Sequence, residues 1–267
     1  VVVTPGRAAR RGFTLVEAVV TIGVIALLMA IIVPGLRTVI EASRSASCQS
    51  NLRQLAFAAH SYATVFRETY PAAIVYRMTP GGMSTVAWDF EQRPGGGVLP
   101  GPLWQHVDTP AEVMQCPGFT GGSTFGHDPA TGYNYNTTFI GAEGRFPELA
   151  PDGTLLDGWK VARRGIPAAQ HRRPAETALF ADAGWSAGAN KFMRAPMNTV
   201  ENDLGTIHSG AQAFRHLGCC NVAHLDGHVA GTESCHRSPQ TNPDLELLLG
   251  WPRNGFLSED DSAYDPR

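Results

Sequence analysis

Lysine is nearly missing from this chain of 267 residues. Lys160 and Lys191 are the only two among 21 basic residues, and the rest are arginine, a bias that reads as codon usage rather than chemistry. The net charge of −3 gives no footing for a nucleic-acid partner. Internal repeats and low-complexity tracts are absent, which argues against a repeat array. No Cys-x2-Cys pair is present, and the His-x3-His spacing at His224 and His228 spans an Asp-Gly turn rather than a helix. Glycine (29) and proline (19) are plentiful, favouring turns and short strands over further long helices.

Long hydrophobic runs are also scarce, with one exception. Residues 18–36 carry no charge, and as a helix they span roughly 28 Å, close to the hydrocarbon thickness of a bilayer. Val19, Val20, Ile22, Val24, Ile25, Ile31, Ile32 and Val33 would favour a strand in water, but in lipid a lone segment must satisfy its own backbone and becomes a helix. Arg7, Arg10 and Arg11 precede the run without an acidic residue, which predicts a cytoplasmic N-terminus and an exported remainder. Glu17 is the anomaly. A carboxylate at the edge of a membrane span costs on the order of 2–3 kcal/mol unpaired, and the neighbouring sequence offers no cation past the arginines. Cleavage between Gly12 and Phe13 would create one, an amine four residues before Glu17. A secretory signal peptide fits less well, because no small-x-small site closely follows the apolar core. A lipoprotein cut before Cys48 meets the same objection.

Arg11-Gly12-Phe13-Thr14-Leu15-Val16-Glu17 and the apolar run behind it resemble the class III leader of type IV prepilins and type II secretion pseudopilins. The resemblance implies that a prepilin peptidase cuts after Gly12 and methylates Phe13, that Glu17 guides assembly, and that Pro34 occupies the helix-kinking position. A second resemblance is to the bacterial prepilin-type family named for a C-terminal His-x9-Asp-Gly motif. It rests on Cys48-Gln49-Ser50-Asn51-Leu52-Arg53-Gln54 and on His216 followed nine residues later by Asp226-Gly227. Weaker echoes are Cys116-Pro117, Tyr133-Asn134-Tyr135-Asn136 and Ala178-Leu179-Phe180-Ala181-Asp182. The implied protein is a structural filament subunit, not an enzyme. Its implied partners are other pilin-like subunits, the peptidase, an inner-membrane assembly platform and lipid. Its implied location is the inner membrane in a single pass, then a periplasmic pseudopilus or surface filament. The competing readings are a membrane-anchored binding or adhesion module and, further off, a metal-dependent hydrolase.

The expected fold is α+β and pilin-like, with a long N-terminal helix packed on an antiparallel β-rich head. Its predicted segments are a leader over 1–12, a membrane and assembly helix over 13–36, an amphipathic continuation over 37–68, a head over 69–257 and a frayed tail over 258–267. Leu52, Leu55, Ala59, Tyr62 and Phe66 step by three and four along one helical face, and Tyr70-Pro71 is expected to end the helix. Strands are predicted at Ala73–Tyr76, Thr85–Trp88, Asn136–Ile140, Trp159–Val161 and Ala178–Ala181. Asn221–Leu225 and His228–Gly231 should form a hairpin closed by Asp226-Gly227 in a two-residue type I′ turn, with Leu225 facing His228 and His224 facing Val229.

Five cysteines in an exported chain invite disulfides, and the odd count leaves at least one over. Cys48, Cys116, Cys219, Cys220 and Cys235 are all candidates, with Cys219 or Cys220 to Cys235 favoured because the extended hairpin brings them near each other. Zinc at the His and Cys residues near the C-terminus is disfavoured, because strand alternation turns His224 away from His228 and Cys219 away from Cys220. His216 is expected to serve structure, donating to a backbone carbonyl or to Asp226. No cofactor is expected, with calcium at Asp182 or Asp226, or zinc, as the weak alternative.

Overall fold

In a computed structural model of the protein, the described residues are 12–108, 110–122, 132–141, 166–185, 189–197, 210–239 and 243–267. The strand predicted at Trp159–Val161 lies outside them. The chain divides into two compact units, residues 1–41 and 42–267.

Helix α1 runs from Leu15 to Val65. Its start is set by a capping box. The Glu17 carboxylate accepts from the Thr14 backbone N–H (2.8 Å) and hydroxyl (2.7 Å), while Thr14 Oγ1 accepts from the Glu17 N–H (3.2 Å). Glu17 therefore has a local partner, which corrects the expectation that its surroundings offer none. The signal was the Thr-x-x-Glu spacing. Through the first unit the apolar side chains stand exposed, from Phe13 to Ile40. Pro34 lies inside the helix, so the Ala30 carbonyl lacks its usual amide donor.

In the second unit α1 buries Cys48, Leu52, Leu55, Ala56, Ala58, Ala59 and Ala63. The face is the predicted one, except at its end. Phe66 is half exposed and stacks on Tyr62 at 4.1 Å between ring centres. The helix stops before Tyr70 because Arg67 and Glu68 both take left-handed backbone (φ 55° and 60°), and Glu68 N–H returns to the Ala63 carbonyl at 2.8 Å.

Four strands follow as an antiparallel meander: β1 (Ile74–Thr79), β2 (Gly82–Ala87), β3 (Phe90–Gln92) and β4 (Val98–Pro100). A short helix, α2 (Pro110–Val113), leads to Cys116. The central sheet is built from β5 (Tyr133–Asn136), β6 (Ala178–Asp182), β7 (Phe192–Met193), β9 (Cys220–His224) and β10 (Val229–Thr232), in the order β10-β9-β6-β5-β7. Its pairs are antiparallel except β5 with β7, which is parallel. The strand expected at Asn136–Ile140 instead ends at Asn136, whose side-chain oxygen accepts from the Phe139 N–H (3.1 Å) and turns the chain.

Both faces of this sheet are covered, so its central strands read as continuous buried runs rather than alternating ones. On one face Tyr133, Tyr135, Leu179, Phe180, Ala223 and Leu225 join α1 and the meander. On the other, Ala178, Ala181, Cys220 and Val222 meet Leu249, Phe256 and Tyr264. Those last three belong to the C-terminal segment of α3 (Pro243–Leu249) and β11 (Asn254–Gly255), which pairs with β8 (Gln212–Ala213). The tail is therefore packed rather than frayed. Tyr264 is fully buried, its hydroxyl donates to Gln212 Oε1 (2.6 Å), its carbonyl accepts from Asn136 (2.8 Å), and the Pro266 carbonyl accepts from Arg172 and Arg173. An acidic, apolar-poor stretch hid one tyrosine that closes a core.

Lys191, one of the two lysines, is buried and doubly bonded to Asp89 (2.7 and 2.8 Å), with its ammonium 4.2 Å from the Phe90 ring centre. It ties the meander to the central sheet. Lys191→Met should destabilise the second unit by about 3–5 kcal/mol, because it leaves the buried Asp89 without this cation. Adding Asp89→Leu should recover part of that loss. Urea denaturation of the full chain in detergent, followed by tryptophan fluorescence, measures both.

Candidate functional site

The hairpin that carries the His-x9-Asp-Gly spacing is built differently from the expectation. Pairing of Val229 with Ala223 and Ala230 with Val222 sets His224 opposite His228, one step from the predicted register. Asp226 keeps ordinary negative φ and only Gly227 is left-handed (φ 91°), so the loop is the three-residue kind with a glycine bulge. The two imidazoles stack face to face at 4.2 Å rather than diverging. A tight turn with two positive-φ residues does occur, but earlier: Leu217 (φ 56°) and Gly218 (φ 89°) join His216 to Cys219 through a reciprocal pair of backbone bonds.

The two ends of the motif do separate jobs. Asp226 is exposed and accepts from the His228 backbone (3.1 Å) and ring (2.6 Å). His216 points into the interior, so the proposed bond from His216 to Asp226 is not made, and Asp226 shares no site with Asp182.

What His216 reaches is a buried cluster. Cys48 comes from α1, Cys116 from the Cys-Pro turn after α2, Asp182 from the end of β6, and His216 from the turn before β9. All four are fully buried or within one per cent of it. Cys48 Sγ lies 3.0 Å from Asp182 Oδ1, and Cys116 Sγ lies 4.0 Å from Cys48 Sγ, 3.8 Å from Asp182 Oδ1 and 3.7 Å from His216 Nε2. His216 Nε2 and Asp182 Oδ1 are 3.6 Å apart. One atom from each of the four falls within 4.8 Å of the others.

Surrounding groups hold these donors in place. Asn51 Nδ2 donates to the Glu112 and Gln115 carbonyls (3.1 and 3.3 Å), so the residue three after Cys48 grips the segment that delivers Cys116. Gln49 Nε2 donates to Asn221 Oδ1 (2.9 Å), and the Asn221 N–H donates to Asp182 Oδ2 (2.8 Å). Arg215 NH1 donates to Cys116 Sγ (3.2 Å) and the Gly132 carbonyl (3.0 Å), and lies 3.8 Å from Asp182. Its other terminal nitrogen bonds the Ala183 carbonyl. The Tyr133 hydroxyl is buried beside Cys48. Gly132 (φ 102°) must be glycine, since a Cβ there would sit 2.4 Å from the Cys116 Cβ.

The electrostatics follow from this crowding. Burial pushes the Cys48 thiol up, with Cys116 and Asp182 adding to it. Cys116 goes the other way, to about 5, because Cys48 shares a proton with it and His216 and Arg215 favour its anion. Burial opposes a charged His216, yet the Asp182 carboxylate and Cys116 sulfur prevail and push it up to about 9.

All five cysteines are free thiols. The favoured bridge to Cys235 is not made, because the ladder sets Thr232 opposite Cys220, the Cys219 sulfur reaches Glu233 and the Cys235 sulfur faces the Pro252 carbonyl. Sequence reasoning singled out each member of the buried cluster in a separate motif but did not join them. Nothing in their spacing, which stretches from Cys48 to His216, announces a shared point. Arg215, Asn221 and Tyr133 were missed as its supports.

Residues 7–33 match a family model described as the prokaryotic N-terminal methylation motif, and residues 38–91 match one described as a protein of unknown function (DUF1559). Searches of the curated proteins and of the solved structures return no match to this chain.

His224 stays neutral to about 4, chiefly through burial and secondarily through the His228 charge. Between that value and the unfolded 6.5, the unfolded chain binds the extra proton, so stability falls as pH drops from about 6.5 to 4. His224→Phe keeps the stack and removes this dependence. From pH 7 to pH 5 the wild-type melting temperature should fall by roughly 2–4 °C more than the variant's, as read by scanning calorimetry.

Proposed function

On the premise that the chain is a type IV prepilin-like protein, by its methylation-motif match and its long apolar helix, we propose that it is a structural subunit of a pilus-like or secretion-pseudopilus-like filament. The observation that carries this reading is a membrane-length helix with its apolar side chains exposed, preceded by a glycine-phenylalanine junction and opened by a glutamate. Lipid covers such a helix before assembly, and the equivalent helices of neighbouring subunits cover it afterwards. With the basic flank held in the cytoplasm, the second unit lies outside the inner membrane. Its role is that of a building block rather than a catalyst.

Processing fits the local geometry. Gly12, Phe13 and Thr14 are exposed and outside the helix, so the bond after Gly12 is open to a prepilin peptidase. Cutting there spares Thr14, and the capping box survives in the mature chain. Both Thr14 bonds end on Glu17 Oε2. Oε1 is left to accept from the methylated Phe13 amine of an adjoining subunit, a charge-assisted bond that is strong in a low-dielectric setting.

Gly12→Ala should leave the leader attached, and mass spectrometry of the wild-type mature N-terminus should find Phe13 one methyl group heavier. Val1 or a residue near Cys48 at that terminus would overturn the reading. Glu17→Ala should be cleaved normally but lose filaments, scored by electron microscopy and shear fractionation. Thr14→Val, which keeps the carboxylate while deleting the hydroxyl, should assemble close to wild type. Equal failure of both variants would make Glu17 a helix cap only. Intact filaments from Glu17→Ala would favour a membrane-tethered binding module.

A further inference from the structure

We propose that Cys48, Cys116, Asp182 and His216 form a closed, four-ligand zinc site that staples the second unit together. This goes beyond the filament role and does not depend on it. Zinc binds thiolate at about 2.3 Å, imidazole at about 2.0–2.1 Å and carboxylate at about 2.0–2.2 Å, so a tetrahedron of these donors has edges of about 3.3–3.8 Å. Five of the six donor separations here are 3.0, 3.6, 3.7, 3.8 and 4.0 Å, and the sixth is within 4.8 Å. Movements of a few tenths of an ångström bring those five edges to that polyhedron, and the Cys48–His216 edge has to close by at most about 1.3 Å.

The donor set selects the metal. Two sulfurs, one imidazole and one carboxylate suit zinc, whereas calcium and magnesium take oxygen. Charge also balances: two thiolates and a carboxylate are offset by Zn²⁺ together with the Arg215 guanidinium, which touches both Cys116 and Asp182. Cys48, Cys116 and His216 each bind through an unprotonated donor atom, and any proton held there leaves to solvent as the bond to zinc forms. Two outer contacts orient the donors, Asn221 N–H on the distal oxygen of Asp182 and Arg215 on the Cys116 sulfur.

A Cys48–Cys116 disulfide is the competitor in an oxidising compartment. It needs the sulfurs to close from 4.0 Å to about 2.05 Å, and it uses only two of the four convergent donors. It would take from Asp182 the thiol proton that Cys48 now offers at 3.0 Å. Zinc answers all four groups at once.

The test uses the full chain purified in detergent, without chelator and under anaerobic conditions. Elemental mass spectrometry should find about one zinc per chain. Cobalt exchanged into the wild type should show the intense visible bands of a tetrahedral ion and sulfur-to-cobalt charge transfer, a readout that needs no variant. Cys116→Ser should lower zinc retention against a competing chelator at least ~10-fold. Cys219→Ser and Cys235→Ser should retain it fully. Background zinc with an octahedral cobalt spectrum in folded wild type would overturn the proposal. So would a non-reducing peptide map joining Cys48 to Cys116.

Discussion

A carboxylate sealed from water has to be answered by what surrounds it, and the second unit is arranged around that demand at Asp182. One oxygen takes the Asn221 amide, which locks the end of β6 to the start of β9. The other faces Cys48, Cys116, His216 and Arg215. Helix, turn and sheet thus meet at a single side chain. An isolated buried charge would cost many kcal/mol, so the neighbours cannot be varied one at a time without exposing that cost.

The same demand explains the odd grammar of the segment after the membrane run. Cys48, Gln49, Asn51 and Leu52 occupy little more than one helical turn, yet each does something different. Cys48 meets the carboxylate, Gln49 holds Asn221, Asn51 holds the carbonyls ahead of Cys116, and Leu52 fills the core. Three polar contacts on one short stretch fix the helix against the head in both rotation and height. Apolar packing alone would fix it less sharply, because alanine-rich helical faces slide easily.

What was legible in the residues was what depends on near neighbours. The apolar run, the helical face from Leu52 to Tyr62, the strand at Ala178–Asp182 and the existence of a hairpin at residues 220–232 all follow from local pattern. The errors arose where distant chain decides. Asp226-Gly227 resembled a two-residue turn, but His224 stacked on His228 belongs to the longer loop, and two-residue chemistry went instead to Leu217-Gly218, a pairing that composition disfavours. The tail looked solvated because its one core residue, Tyr264, acts through contacts with Gln212 and Asn136, 52 and 128 residues away. Lys191 looked like a codon accident until Asp89 stood beside it. For the cluster, every member was visible and the meeting point was not.

The two units answer opposite physical problems. The first leaves its apolar helix uncovered and satisfies Glu17 with a residue three positions away, so its apolar surface is left for lipid or another helix to cover. The second satisfies its buried acid, cation and aromatic hydroxyls almost wholly from within. The second keeps its partners to itself: its buried polar cluster ties the turn of α1 that carries Cys48 to the strands that carry Asp182 and Asn221.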